Sequence, residues 1–156
     1  MNYNLAVWVI AVICLTPVVA LALMSFSSPP MPSNLGVSDG LLAPCTDSPN
    51  CVSTQATDDE HAMKPLRFNG DAESAIERLA SIVRAEPRTK IVSQSNNYLH
   101  AEFTSLVFRF VDDVEFQVEE QANLIHFRSA SRVGYYDLGV NRARMERIRE
   151  LFQEAS

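Results

Sequence analysis

From Met63 onward the hydrophobic positions of this chain keep two different periods, and the switches between them outline a fold. In "GDAESAIERLASIVRAEP" the apolar residues Ala72, Ala75, Ile76, Leu79, Ile82 and Val83 recur at three- and four-residue steps, which sets them on one face of a helix. Asp71, after Gly70, is a good N-cap, and Pro87 stops the helix. "KIVSQSNNYLHAEFTS" predicts two short strands around Asn96-Asn97, a pair that tolerates the positive φ of a tight hairpin turn. In the second strand Leu99, Ala101 and Phe103 alternate with Tyr98, His100 and Glu102. Val114, Phe116 and Val118 then alternate with Asp113, Glu115, Gln117 and Glu119, and Ile125 and Phe127 stand opposite His126 and Arg128. One sheet face is apolar and the other polar, as expected of an antiparallel sheet covered on one side and wetted on the other.

"MKPLRF", ahead of the first helix, reads as a short strand, and Pro65 argues for an edge. A last helix is predicted after Asn141 as N-cap, with Val140 stapled onto Met145 and a buried stripe of Met145, Ile148, Leu151 and Phe152. The order of strand, helix, strand meander and helix predicts a two-layer α+β domain, an antiparallel sheet of about four to five strands packed on two helices.

The N-terminal part follows neither period. Residues 1–4 are a short tail. Residues 5–24, "LAVWVIAVICLTPVVALALM", carry no charge and are about as long as a helix that crosses the bilayer core. A membrane anchor is the closer match. A cleaved signal remains the alternative, since Ala20-Leu21-Ala22 offers a small-residue site although "MNYN" lacks a basic residue. Cys14 follows Ile13, where a lipoprotein signal needs a small residue. Residues 25–40 begin with the Pro- and Ser-rich "SFSSPPMPSN" and read as an extended spacer. Residues 41–156 are then the exported domain.

Charge narrows the partners. The formal net charge is -6, yet all 13 Lys and Arg lie at Lys64 or later, and only Asp39, Asp47, Asp58, Asp59 and Glu60 precede them among the charged residues. The part from Lys64 onward is nearly neutral and has no electrostatic footprint for nucleic acid. Cys45 and Cys51 enclose a polar loop with Pro49 inside it, short enough to bring their Cβ atoms to the ~3.8 Å of a disulfide. A C-x5-C pair alone is a poor zinc site, and redox pairs more often read C-x-x-C. A structural disulfide in an oxidising compartment is expected, with free thiols or a metal as the weaker matches.

The segments "PCTDSPNCVST", "YLHAEFTS", "FVDDVEF" and "IHFRSASRVGYYDLGVNRARMERIR" resemble domain of unknown function 1499, found in bacterial envelope proteins and some plastid proteins, over roughly Leu41 to Leu151. Its signatures stand here as Cys45, Pro49, Asn50, Cys51, Arg128, Ser129, Ser131, Arg132, Gly134, Asp137, Gly139, Asn141 and Arg142. The resemblance brings no activity with it. With the apolar leader it implies a single-pass protein of the bacterial inner membrane with its domain in the periplasm, or a secreted or periplasmic protein if the leader is cleaved.

Two sets of residues carry candidate chemistry. Arg128, Ser129, Ser131, Arg132, Asp137, Asn141 and Arg142 surround a glycine-bearing loop that ends at a helix N-terminus, where free N–H groups and planar guanidinium donors suit a carboxylate or phosphate. The alternative is that the arginines pair with Asp137, Glu102 or Asp112 and pin the loop to the sheet. Arg142 at a helix start opposes the macrodipole by roughly 0.3–1 kcal/mol, so it calls for a nearby anion, either Asp137 or a ligand. His100, Glu102 and His126 form a possible polar cluster for acid–base or metal chemistry if their strands are neighbours, and otherwise a solvated face. His61 lies ahead of the first strand, where the sequence leaves its approach to that cluster open.

Ser129 and Ser131 lack a nucleophile-elbow context, and the acidic run from Asp112 to Glu120 lacks calcium-loop spacing. No catalytic residue, metal ligand or cofactor is assigned. The expectation is a membrane-tethered, noncatalytic module for a small anionic ligand or an envelope protein. The alternatives are a hydrolase-like or other enzyme using the arginines with His100, Glu102 and His126, or a structural or assembly factor.

Overall fold

The computed structural model describes residues 29–154 and, nearer the N-terminus, 8–10, 12–13, 15–16 and 19. Much of the apolar stretch 5–24 lies outside the described residues; those of it that are described are helical and exposed. Among the described residues no helix is long and apolar enough to cross a membrane.

The architecture is α+β. In chain order the elements are β1 (Val37–Ser38), β2 (Leu41–Leu42), β3 (Cys51–Ser53), β4 (Leu66–Arg67), α1 (Ala72–Ala85), β5 (Thr89–Gln94), β6 (Tyr98–Thr104), β7 (Val111–Glu119), a 3-10 turn at Glu120–Ala122, β8 (Leu124–Ser131) and α2 (Val140–Glu154). β1 and β2 form a hairpin, and the other strands make a six-stranded sheet in the order β3-β8-β7-β6-β5, with β4 also on β8. Every pairing within that sheet is antiparallel. The sheet is thus one strand wider than expected, because the short β3 and β4 both line the free edge of β8.

Local chemistry accounts for most element ends. Asp71 Oδ1 accepts from the Ser74 N–H at 2.8 Å and caps α1. Its burial-facing residues are Ala75, Ile76, Leu79, Ala80 and Val83. The β5–β6 hairpin turns at Asn96-Asn97 as expected, but neither asparagine takes a positive φ; the Ser95 N–H donates to the Tyr98 carbonyl at 2.8 Å to close the turn. In α2 the buried stripe is Asn141, Arg144, Met145, Ile148 and Phe152, and Leu151 is exposed. The expected N-cap at Asn141 is also displaced. α2 already begins at Val140, and Asp137 supplies the capping carboxylate, accepting from the Gly139 N–H at 2.9 Å and the Asn141 N–H at 2.8 Å. Val140 stays exposed and makes no buried staple.

The core lies between α1, α2 and one sheet face. Leu99, Ala101 and Phe103, then Val114, Phe116 and Val118, then Ile125 and Phe127 all point into it. Phe116 and Phe127 meet edge to face with centroids 6.4 Å apart. Each large side chain buried here stabilises by about 1.5–3 kcal/mol relative to exposure.

The opposite face overturns an expectation. It is not wetted: His100 is 3% exposed, Asp113 1% and Glu115 0%. A strap containing the β1–β2 hairpin crosses it. The Gly36 N–H donates to Glu115 Oε1 at 2.6 Å, and Gln117 Nε2 donates to the Gly40 carbonyl at 2.9 Å. The end of the expected spacer is therefore packed on the sheet. Cys45 and Cys51 are joined with their Cα atoms 5.7 Å apart, which ties the strap to β3.

That bond closes a short loop, so in the chain-entropy account it stabilises by about 2–3 kcal/mol. We expect Cys45→Ser/Cys51→Ser to lower the urea midpoint by that equivalent in the full-length protein. An unchanged midpoint would mean that the strap's hydrogen bonds hold it alone.

Candidate functional site

The seven residues expected to converge around the β8–α2 loop divide between the two faces of the sheet. Ser129, Ser131, Asp137 and Asn141 meet on the helix-covered side. Arg128 and Arg132 reach the strap side. Arg142 lies apart, on the flank of α2.

On the helix side Asn141 is the centre. Its Oδ1 accepts from the Ser129 hydroxyl at 2.5 Å and from Arg144 Nη1 at 2.7 Å. Its Nδ2 faces the Asn50 carbonyl at 2.9 Å, Ser131 Oγ at 3.0 Å and Asp137 Oδ2 at 2.8 Å. Asn50 Nδ2 in turn donates to the Gly134 carbonyl at 2.6 Å. The stapled loop, the β8–α2 loop and the start of α2 thus share one network. Arg144 Nη2 donates to Asp112 Oδ2 at 2.5 Å, and its guanidinium stacks over Phe103 at 4.6 Å.

Sequence reasoning missed Arg144 and gave Asp112 only a partner's role. Both carried a readable signal, because each is a charge in phase with an apolar stripe. Asp112 falls in step with Val114, Phe116 and Val118, and Arg144 with Asn141, Met145 and Ile148. A charge at such a position is buried and must be paired.

On the strap side Arg132 is engaged by two carboxylates. Its Nε donates to Asp113 Oδ2 at 2.7 Å, and its Nη2 to Asp113 Oδ1 at 2.7 Å and Glu102 Oε1 at 2.6 Å. His100 Nε2 joins Asp113 Oδ1 at 2.8 Å. Burial alone would raise the Asp113 carboxyl, but the hydrogen bonds from Arg132 and His100 outweigh it and hold it below the usual carboxylate range. The Asp113 hydrogen bond leads in raising Arg132 further above the ordinary arginine value. Next to them Glu115 Oε1 accepts from the Tyr98 hydroxyl at 2.8 Å, while Glu115 Oε2 stands 3.5 Å from Arg128 Nη1. Burial first, and Glu115 second, push the Tyr98 phenol up.

His126 does not join this group. It lies on β8 opposite Gln117, with Nε2 2.9 Å from Glu119 Oε2 and Nδ1 3.1 Å from Thr54 Oγ1. His100 and Glu102 are linked through Asp113 and Arg132, so the three-residue cluster is broken at His126. His61 is engaged by Asp58 at 2.7 Å, well apart in its own loop. Among the described residues no three His, Cys, Asp or Glu side chains form a metal-holding group.

Arg142 answers its own question differently from either expectation. It donates to the Ala62 carbonyl at 3.1 Å and the Glu60 carbonyl at 2.7 Å. Its anion-like partners are backbone oxygens of the 60–62 loop rather than Asp137.

Two clefts flank the Asn141 network. One, of about 570 Å³, lies between the end of α1, the end of β6 and α2, and is walled by Phe103, Arg88, Arg144 and Arg147 opposite Asp112 and Glu86. The other, of about 290 Å³, lies between the β6–β7 and β8–α2 loops and is lined by Phe110, Val133, Tyr136 and Val140. They share Ser105, Asp112 and Val140. Backbone strain collects here as well. Arg88, Arg109 and Leu138 have φ of 57°, 58° and 59°, a region that bulky side chains rarely adopt outside functional or over-determined sites.

This network joins the cysteine-bounded loop to the run from Arg128 to Arg144, and the family described as protein of unknown function, DUF1499, matches residues 41–152. The chain belongs to that family. No curated protein and no solved structure matches it. Membership in DUF1499 assigns no activity, so the reading of the site rests on its geometry.

Proposed function

We propose that this DUF1499 chain is a membrane-tethered envelope protein whose folded part is a noncatalytic binding module, and that a small anionic ligand enters the larger cleft beside α2. The observation that carries it is the wall of that cleft. Arg88, Arg144 and Arg147 line it against two carboxylates, Asp112 and Glu86, around the apolar floor of Phe103. Arg144 is fixed by Asp112, Ser129 and Asn141, so the wall is set before anything binds. Arg88 spends its Nε on the Thr104 carbonyl at 3.1 Å and remains an exposed cation at the rim.

A noncatalytic role is supported by how the reactive groups are used. The Ser129 and Ser131 hydroxyls belong to the Asn141 network, and the three histidines bond Asp58, Asp113 and Glu119 instead, so neither serine is paired with a histidine base. The tether reading is supported by the uncharged stretch 5–24, and the envelope by the disulfide, which fits an oxidising compartment.

The test is a thermal-shift series on the full chain with inorganic phosphate, short-chain carboxylates and alkyl phosphates. A ligand at 100 times its dissociation constant stabilises by about 2.7 kcal/mol. Arg88→Gly suits the positive φ and removes the guanidinium, so it is expected to keep the fold and abolish the shift. No shift of the wild-type protein with any of these compounds would overturn the reading.

A further inference from the structure

The end of the sheet that carries the smaller cleft is capped by two loops whose side chains are wrong for water. In the β6–β7 loop, "SLVFRF", Leu106 is 69% exposed and Val107 73%, while Phe108 stacks on Phe110 at 5.6 Å. In the β8–α2 loop, "RVGYYDLGV", Leu138 is 83% exposed, and Tyr135, Tyr136 and Val140 are exposed with it. Ser105 and Phe110 of one loop and Val133, Tyr136 and Val140 of the other line the same cleft, so the two loops lie side by side and carry their exposed apolar side chains at the same end of the sheet. Exposed apolar side chains gathered in this way at one end of a folded domain mark an interaction surface. Leu138 is presented outward from a φ of 59°, a conformation leucine rarely adopts, and nothing in its surroundings rewards that strain with burial.

From these loops we infer that the domain lies against a lipid bilayer, with Leu106, Val107, Tyr135, Tyr136 and Leu138 at the interface between headgroups and acyl chains. The inference rests on the reading of residues 5–24 as a membrane anchor and adds an orientation to it. Three observations select a bilayer as the occupant. The first is charge. In a chain of net charge -6, neither loop turns a carboxylate outward: Asp137, their one acid, is directed onto the Gly139 and Asn141 amides. Arg88 and Arg109, both exposed, flank the patch, as cations flank surfaces that meet anionic headgroups. The second is composition, since tyrosines at the rim of an aliphatic patch suit the interfacial belt.

The third is the path of the chain. The strap advances from Glu115 at Gly36 to Gln117 at Gly40, away from the end of β7 where the loops lie. The residues upstream of Gly36 are therefore on the loop side. Eleven residues separate Met24 from Gly36, and this stretch reaches at most ~40 Å when extended. Val111, at the loop end of β7, is only about 13 Å from Glu115 along the strand. An anchored chain thus has ample reach to bring these loops onto the membrane that holds it.

The experiment uses the full chain in vesicles of zwitterionic and anionic phospholipid with brominated acyl chains. Its single tryptophan, Trp8, is first replaced by Phe, and one probe is then introduced by Val107→Trp, Leu138→Trp or Asn96→Trp. Asn96 sits in the hairpin at the other end of β6 and serves as control. The probes at 107 and 138 are expected to lose about half their emission, because interfacial burial of ~5–10 Å brings them beside the brominated carbons. The probe at 96 is expected to be unaffected.

Flotation of the same vesicles tests the anchor by itself. A chain that floats while its 107 and 138 probes remain unquenched, or while all three are quenched alike, overturns the inference and leaves the anchor standing. A blue shift at 107 and 138 without bromine quenching also overturns it, since a second copy or another protein then covers the patch. A chain that does not float overturns both.

Discussion

Arg144→Ala is expected to destabilise the fold by about 3–5 kcal/mol, the usual loss when one member of a buried ion pair is removed. The size follows from what is left behind. Asp112 would keep a carboxylate, 9% exposed, that has lost its ion-pair partner, and Ser129 and Asn141 would each lose a charged donor. The stack over Phe103 would be lost as well. Domains of this size are held by about 5–15 kcal/mol, so the variant should approach the unfolding threshold. Urea denaturation of the full chain measures it. The double variant Asp112→Leu/Arg144→Met should be much less harmful, because replacing a whole buried pair by apolar groups is often neutral. A loss below about 1 kcal/mol for Arg144→Ala would mean that the pair behaves as a surface bridge.

The second large effect is on pH dependence and comes from Asp113. Its folded carboxyl lies below the ordinary value of 3.8, despite burial, because Arg132 and His100 donate to it. A depressed carboxyl contributes stability that is fully present above the unfolded value, here above about pH 4. As pH falls below that, the unfolded chain takes up the proton first, and the contribution drains away until the folded group also protonates. The stability of the wild type is therefore expected to drop on acidification below about pH 4. Asp113→Asn should be less stable at neutral pH, since Arg132 and His100 then face an amide, and its acid loss should be shallower. Parallel slopes for the two proteins between neutral and acid pH would exclude Asp113 as the group responsible.

Much of the helix side of this fold was legible because period and burial agree there. The α1 stripe, its Asp71 cap and the apolar phase of β6 to β8 are all produced by local chemistry that a sequence displays. The strap side was illegible for a physical reason. Alternation says which residues share a face, but not whether that face meets water or another segment. The covering residues, Gly36 to Leu42, have no periodicity and hold on through main-chain groups at Gly36 and Gly40, which any residue possesses. The candidate site failed in a related way. Arg128, Ser129, Ser131 and Arg132 are close in sequence, yet β8 sends alternate members to opposite faces, and that parity was available from the pairing of Ile125 with Phe127. Arg142 was read from the helix dipole, whereas its partners are carbonyls of a loop some eighty residues away.

The disulfide also determines how the molecule would carry a mechanical load. A pull delivered through the N-terminal linker would peel the strap from the sheet bond by bond, releasing Gly36, then Gly40, then the Leu42 N–H that donates to Gln55 at 2.9 Å. At Cys45 it would meet a covalent stop. From there tension enters the sheet at Cys51, whose strand is laddered along Arg128, Ser129 and Ala130 of β8. The strap is a compliant element in series with a stiff one, so modest force on the N-terminal segment would uncover Glu115 while the core stays shut.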